Sequence, residues 1–205
     1  MNPFLKFSSK FLSVIFHPLL LPTYAFVMIV LSQPFLFAAY EGREWVIVLR
    51  VFVNTFIFPV ICLLLLWRLG WLKSIEAQER EDRIAPYICI GTLYIWTYVS
   101  FRKSSDPQIL NIVLLGSCIS LFGCFLFNIF SKISIHAAGF GALVVIAALN
   151  IWMSAFDVRW VLLTVILLAG MVGSARLYLQ NHSLKEVMTG YMVGMAAQMV
   201  AFNFF

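Results

Sequence analysis

The chain has 205 residues, of which 62% are hydrophobic and only 11% charged, with a formal net charge of +5. Soluble domains carry about a quarter of their residues charged, so this composition excludes an ordinary soluble enzyme, and a mean hydropathy of +0.96 agrees. The positive balance is no nucleic-acid signature, because the basic residues lie between apolar runs, where they anchor helix ends and meet anionic headgroups.

The apolar runs approach the roughly 20 residues needed to cross a bilayer. The first covers residues 11–31. Basic residues precede it, but no small-residue cleavage site follows, so it reads as a retained membrane segment rather than a signal peptide. Pro18 and Pro22 either kink it or make its early part interfacial. The second run, residues 45–67, holds Arg50, Asn54 and Pro59. Residues 68–83 form the most polar stretch, suited to a short interfacial helix or loop. Further runs cover residues 84–101, 109–130, 137–156, 160–175 and 187–205. Polar islands at residues 132–136 and 176–186 separate some of them.

The expected architecture is therefore all-α: one polytopic helical membrane bundle over residues 1–205, with seven spans, or six if the proline-bearing first run does not cross. Parity adds something. Two spans separate the first polar island from the second, and two more separate the second from the third, so all three islands lie on one membrane face. Gly139 and Gly141, Gly170 and Gly173, and the GxxxG step Gly190–Gly194 read as helix-packing positions. The four cysteines, Cys62, Cys89, Cys118 and Cys124, lie in or beside apolar runs with no histidine at ligand spacing. They read as free, buried, small hydrophobes rather than a zinc site.

Two of the three histidines, His136 and His182, fall in co-facial islands; His17 lies in the first apolar run beside a proline. Arg176 precedes His182 by six residues and Glu186 follows it by four. Lys132, Ser134 and His136 mark the second island, and Lys73, Arg80 and Arg83 the first. Gathered on one face, these offer cationic donors, a hydroxyl, imidazoles and a carboxylate. Arg and Lys suit phosphate oxygens. A histidine oriented by a carboxylate is an activated imidazole, and a second histidine can protonate a leaving oxygen. Each group also has a plainer reading. Ser183 and Glu186 have capping-box spacing ahead of the last run. Glu76, Glu79, Glu81 and Asp82 can pair with Lys73, Arg80 and Arg83 on a solvated helix.

The pattern Arg176, His182, Glu186, with Tyr178, Leu179, Val187, Gly190 and Gly194 around it, resembles the third signature of the type 2 phosphatidic acid phosphatase family, related to the vanadium haloperoxidases. Ser134 and His136, with Lys132 and Ile133 before them and Gly139 after, resemble the second signature. Lys73 and Arg80 have the spacing of the first, though Glu81 stands where proline is expected; Arg83 with Pro86 is a rival fit. The acid is usually aspartate, and the second signature usually has proline and glycine where Ile133 and Ile135 stand here. The resemblance spans residues 73–194 and implies a core over residues 68–205.

What the resemblance implies is a metal-independent, cofactor-free lipid phosphatase. His182 would be the nucleophile that forms a phosphohistidine, Glu186 would orient it, and His136 would act as general acid and base. Arg176, Ser134, Lys132, Lys73 and Arg80 or Arg83 would hold the phosphate. The partners would be a membrane lipid phosphate and the bilayer, not nucleic acid. The alternatives are a lipid phosphotransferase and a catalytically weak or inactive lipid-phosphate-binding protein. A small transporter fits less well, because midspan polar groups such as Asn54 and Asn128 are few. Of the 14 Lys and Arg residues, nine fall on the motif side and five on the other, which the positive-inside rule reads as cytoplasmic. The resemblance instead implies the periplasmic face of a bacterial inner membrane.

Overall fold

A computed structural model of the chain describes residues 2–72 and 81–205. Lys73, Arg80, and the glutamates Glu76 and Glu79 lie outside the described residues. The described part is all-helical: α1 (Pro3–Ile15), α2 (Leu21–Ser32), α3 (Glu44–Phe52), α4 (Phe58–Arg68), α5 (Ile84–Arg102), α6 (Gln108–Asn128), α7 (Ile135–Met153), α8 (Arg159–Tyr178) and α9 (Leu184–Asn203). Among the described residues six helical stretches are long and apolar enough to cross a membrane, which makes the chain a polytopic membrane bundle. They are Pro3–Ser32 taken as one run, Glu44–Arg68, α5, α6, α7 and α8. The 20-residue α9 has the length of a span but carries Lys185, Glu186 and Gln198.

The first apolar run is not one straight span. It breaks at Phe16, and His17 opens a 3-10 turn over Pro18–Leu20. α1 then lies across the end of the bundle. Its first residue contact is Asn2 N–H on the Tyr178 hydroxyl, 2.9 Å, and near its other end the Ser13 hydroxyl meets Arg176, 3.5 Å. Those partners share the last turn of α8, while Asn2 and Ser13 are about 16 Å apart along a helix axis. α1 turns Phe4, Phe7, Phe11 and Val14 outward, each more than half exposed. With Lys6 and Lys10 beside that apolar face, it has the make-up of an interfacial helix.

α2 runs beside α7 in the same direction. Leu21 packs where Gly139 leaves room, and at the other end Gln33 Nε2 donates to the carbonyl and side-chain oxygens of Asn150, 3.1 and 2.9 Å. Asn150 in turn donates to Ser32 Oγ, 2.7 Å. The second span carries a π-helical turn at Val53–Ile57. Its cause is Pro59, which has no N–H to give the Thr55 carbonyl; the Tyr94 hydroxyl approaches that oxygen instead, 3.5 Å.

The cysteine expectation needs correction. Cys62 of α4 and Cys89 of α5 form a disulfide, because the two antiparallel helices bring them side by side. Cys118 and Cys124 are the free, buried ones.

The central seam is α7 against α9, and small residues make it. A methyl on Gly194 would run into the Ala138 carbonyl, and one on Gly190 would sit 2.6 Å from the Ser134 carbonyl. Close backbone approach is what GxxxG permits. Here it has a further effect, because it brings the first turn of α7 onto the first turn of α9. Ser134 N–H donates to the Glu186 carbonyl across the seam, 3.4 Å.

Candidate functional site

Two helix starts at this end, those of α7 and α9, are capped by their own sequence. Ser134 Oγ accepts the Ala137 N–H and starts α7, so His136 sits in the first helical turn rather than in a loop. Ile135 is the first residue of that helix and has no need of a glycine-only conformation there. Ser183 starts α9 with a full capping box: its hydroxyl accepts from Glu186 N, and Glu186 Oε2 accepts from Ser183 N at 2.9 Å.

That same Oε2 also accepts from His182 Nδ1, 3.2 Å. Capping and orienting are thus one arrangement, not competitors. The longer glutamate side chain spans both jobs because His182 and Glu186 stand one helical turn apart. Nδ1 is shared with the Lys132 carbonyl, 3.1 Å. Both neighbours are acceptors, so Nδ1 carries the proton and Nε2 presents its lone pair. The His182 side chain is 3% exposed. Burial foremost, then the Arg176 and Arg83 guanidiniums, hold its pKa down to about 4. At neutral pH the ring is uncharged and its Nε2 unprotonated.

Arg83 is buried and donates to the Ile133 carbonyl, 3.3 Å. The Asn181 amide, with its oxygen toward Arg176, accepts from both terminal guanidinium nitrogens, 3.2 and 3.1 Å. His136 Nε2 donates to the Ser13 carbonyl, 3.1 Å, and its ring meets His17 edge to face with centroids 5.9 Å apart. A cavity of about 210 Å3 opens among these groups. His17, Arg83, His136, Arg176 and His182 line one part; Leu21, Ala25, Ile90, Val113, Leu143 and Ile146 line its depth.

The structure therefore brings Arg83, His136, Arg176 and His182 to one cavity, with Glu186 directly behind His182. Ser134 is fully buried as the cap of α7 and is not on the cavity wall. Lys132 contributes its carbonyl to His182; its side chain does not line the cavity. Of the rival first-island arginines, Arg83 is at the site, and Arg80 falls outside the described residues. Among the described residues no three His, Cys, Asp or Glu side chains converge to hold a metal ion.

Three participants escape the sequence reading: His17, Ser13 and Asn181. A histidine beside a proline in an apolar run was the one available signal for the first. Nothing in the sequence announces that Ser13 and Asn181 hold Arg176. Comparison with protein-family models, with curated proteins and with solved structures finds no match to this chain.

Proposed function

We propose that the chain is a lipid phosphate phosphatase of the type 2 phosphatidic acid phosphatase kind, hydrolysing a phosphomonoester or diphosphate of a membrane lipid through a phosphohistidine on His182. The observation that carries this reading is the setting of His182. Its Nδ1 is held between the Glu186 carboxylate and the Lys132 carbonyl, while Arg83, Arg176 and His136 line the same cavity.

In this reading the His182 Nε2 lone pair attacks phosphorus, and the bond from phosphorus to the lipid oxygen breaks. Nδ1 keeps its proton, so the phosphorylated ring is cationic, and Glu186 stabilises it. His136 enters as imidazolium, the form a bound phosphate dianion favours, and protonates the leaving oxygen. Left as a base, it then takes a proton from water as the water oxygen attacks phosphorus. Inorganic phosphate leaves and His182 is restored. Arg83 and Arg176 hold the transferring oxygens, so catalysis is mostly placement and charge stabilisation. The apolar depth of the cavity suits a hydrocarbon chain better than a soluble sugar phosphate. The family resemblance, not the charge count, would turn the site end toward the periplasm of a bacterial inner membrane.

One observation favours a second reading, lipid-phosphate binding without turnover: His136 spends its Nε2–H on the Ser13 carbonyl. Phosphate release from a panel of lipid phosphates in detergent, with chelator present, separates the two. The phosphatase reading expects turnover that His182→Ala abolishes and His136→Ala strongly lowers. Unchanged turnover in His182→Ala sinks the phosphohistidine. Tight binding of lipid phosphates with no release from any of them favours the second reading.

A further inference from the structure

We propose that His17 is a third histidine that touches the substrate, an uncharged Nε2–H donor to the oxygen bridging phosphorus and the lipid chain. The proposal rests on the phosphatase reading above. His17 stands in the break between α1 and α2, and its Nδ1 accepts the Leu19 N–H, 3.3 Å. An accepting ring nitrogen is unprotonated, so the neutral ring carries its proton on Nε2. With Nδ1 turned to its own backbone, Nε2 is on the opposite edge of the ring. That ring lines the cavity and packs edge to face on His136. Among the described residues no acceptor is bonded to Nε2, so this N–H on the cavity wall is left for a bound molecule.

Its position decides which substrate atom it would meet. Pro18, Leu19, Leu21 and Ala25 follow it directly as apolar wall, while Arg83, Arg176, His136 and His182 make the polar wall. His17 is therefore where the chain itself passes from one wall to the other. In an amphiphilic phosphate seated along that gradient, the atom at the border is the bridging oxygen. Negative charge builds on that oxygen as its bond to phosphorus lengthens, and a fixed neutral donor stabilises it. No proton leaves His17; His136 supplies the one that the alkoxide takes.

The plainer role for His17 is to cap the turn at Pro18–Leu20. Two amides separate the roles. In His17→Asn, Oδ1 takes the place of Nδ1 and keeps the cap, but nothing replaces Nε2–H. In His17→Gln, the amide nitrogen reaches the place of Nε2, and the cap is lost. The expected result is that His17→Asn keeps its melting temperature but loses kcat by about tenfold or more, with KM little changed. Inhibition by orthovanadate, whose apical oxygen stands in for the leaving one, weakens alongside. His17→Gln keeps most of kcat and melts lower. Wild-type kcat and vanadate inhibition in His17→Asn overturn the assignment. If His182→Ala is dead while His17→Asn is fully active, only the His17 role fails. If His182→Ala also turns over, or the wild type is inert on every lipid phosphate, the phosphatase reading has failed and takes this proposal with it.

Discussion

The two ends of the bundle use polar residues in opposite ways. At the end away from the histidines, the polar groups close on one another. Arg50 lies 3.9 Å from Asp106, hydrogen-bonds Ser100 and stacks 4.2 Å over the Phe101 ring. Tyr40 and Ser104 also reach Asp106. Gln33, Asn150 and Ser32 form a buried knot, and Arg159 pairs with Asp157, whose carboxyl its hydrogen bonds pull down to about 2. At the histidine end the polar side chains also bond to their neighbours, but Arg83, His136, Arg176 and His182 do so on the wall of a cavity. Polarity inside an apolar bundle does not by itself mark a site, because it also ties helices together. Polarity arranged around a space does.

The sharpest way to break that contrast is to delete one arginine from each end. Arg176→Ala should cost about a hundredfold or more in kcat/KM for a lipid phosphate, with the fold retained. Arg50→Ala should leave turnover alone and lower the melting temperature by a few degrees, because its side chain is partly exposed, 37%, and such a pair is worth on the order of 1 kcal/mol. Turnover lost equally in both would mean that the two ends do not differ in kind.

Glu186 lets the histidine end be divided further. Glu186→Gln can still accept both N–H groups but carries no charge, so turnover should fall by about tenfold to a hundredfold at an almost unchanged melting temperature. Glu186→Ala loses the cap as well, at about 1 kcal/mol. Equal turnover in wild type and Glu186→Gln would reduce Glu186 to a cap.

The seam that assembles the histidine end has a built-in comparison of its own. Gly194→Ala drives a methyl into the Ala138 carbonyl and should cost about 1–3 kcal/mol. Gly170→Ala meets open space and should be neutral or slightly stabilising. A thermal-shift series on both variants reads the difference directly.

The smallest effect is a dependence on pH. His182 takes up its proton near 6.5 in the unfolded chain and near 4 in the folded one. Between those values the unfolded chain binds more protons, so stability falls as pH drops through that window and is regained above it. If His182 is the nucleophile, turnover should show its acid limb near 4. The melting temperature of His182→Asn should depend less steeply on pH across the window than that of the wild type.

Much of this was readable beforehand, for reasons that can be named. Long apolar runs have one stable form in lipid, so α5, α6, α7 and α8 fall close to their expected limits. The parity of spans put Arg83, Lys132 to His136 and Arg176 to Glu186 at one end, and the hydrogen bonds of Arg83 to Ile133 and of His182 to Lys132 join those islands. The first run resisted the same logic, because proline and histidine interrupt it and what an interrupted helix does depends on its neighbours. Pairing of Cys62 with Cys89 was illegible too, since it depends on how two helices are rotated against each other. So was the division between Ser134, which caps, and His136, which faces the cavity.

The amino-acid sequence by itself determined a helical membrane bundle, the capping box of its last helix and the common end of its three polar islands. These follow from local rules: apolar length, capping chemistry and the alternation of crossings. Only the tertiary structure decided which nitrogen of His182 is held and that one Glu186 oxygen both caps and orients. It also brought His17 and Ser13 to the site. Those outcomes depend on how closely α7 and α9 approach and on where α1 lies across the bundle end, and close packing between distant segments is not written in any one of them.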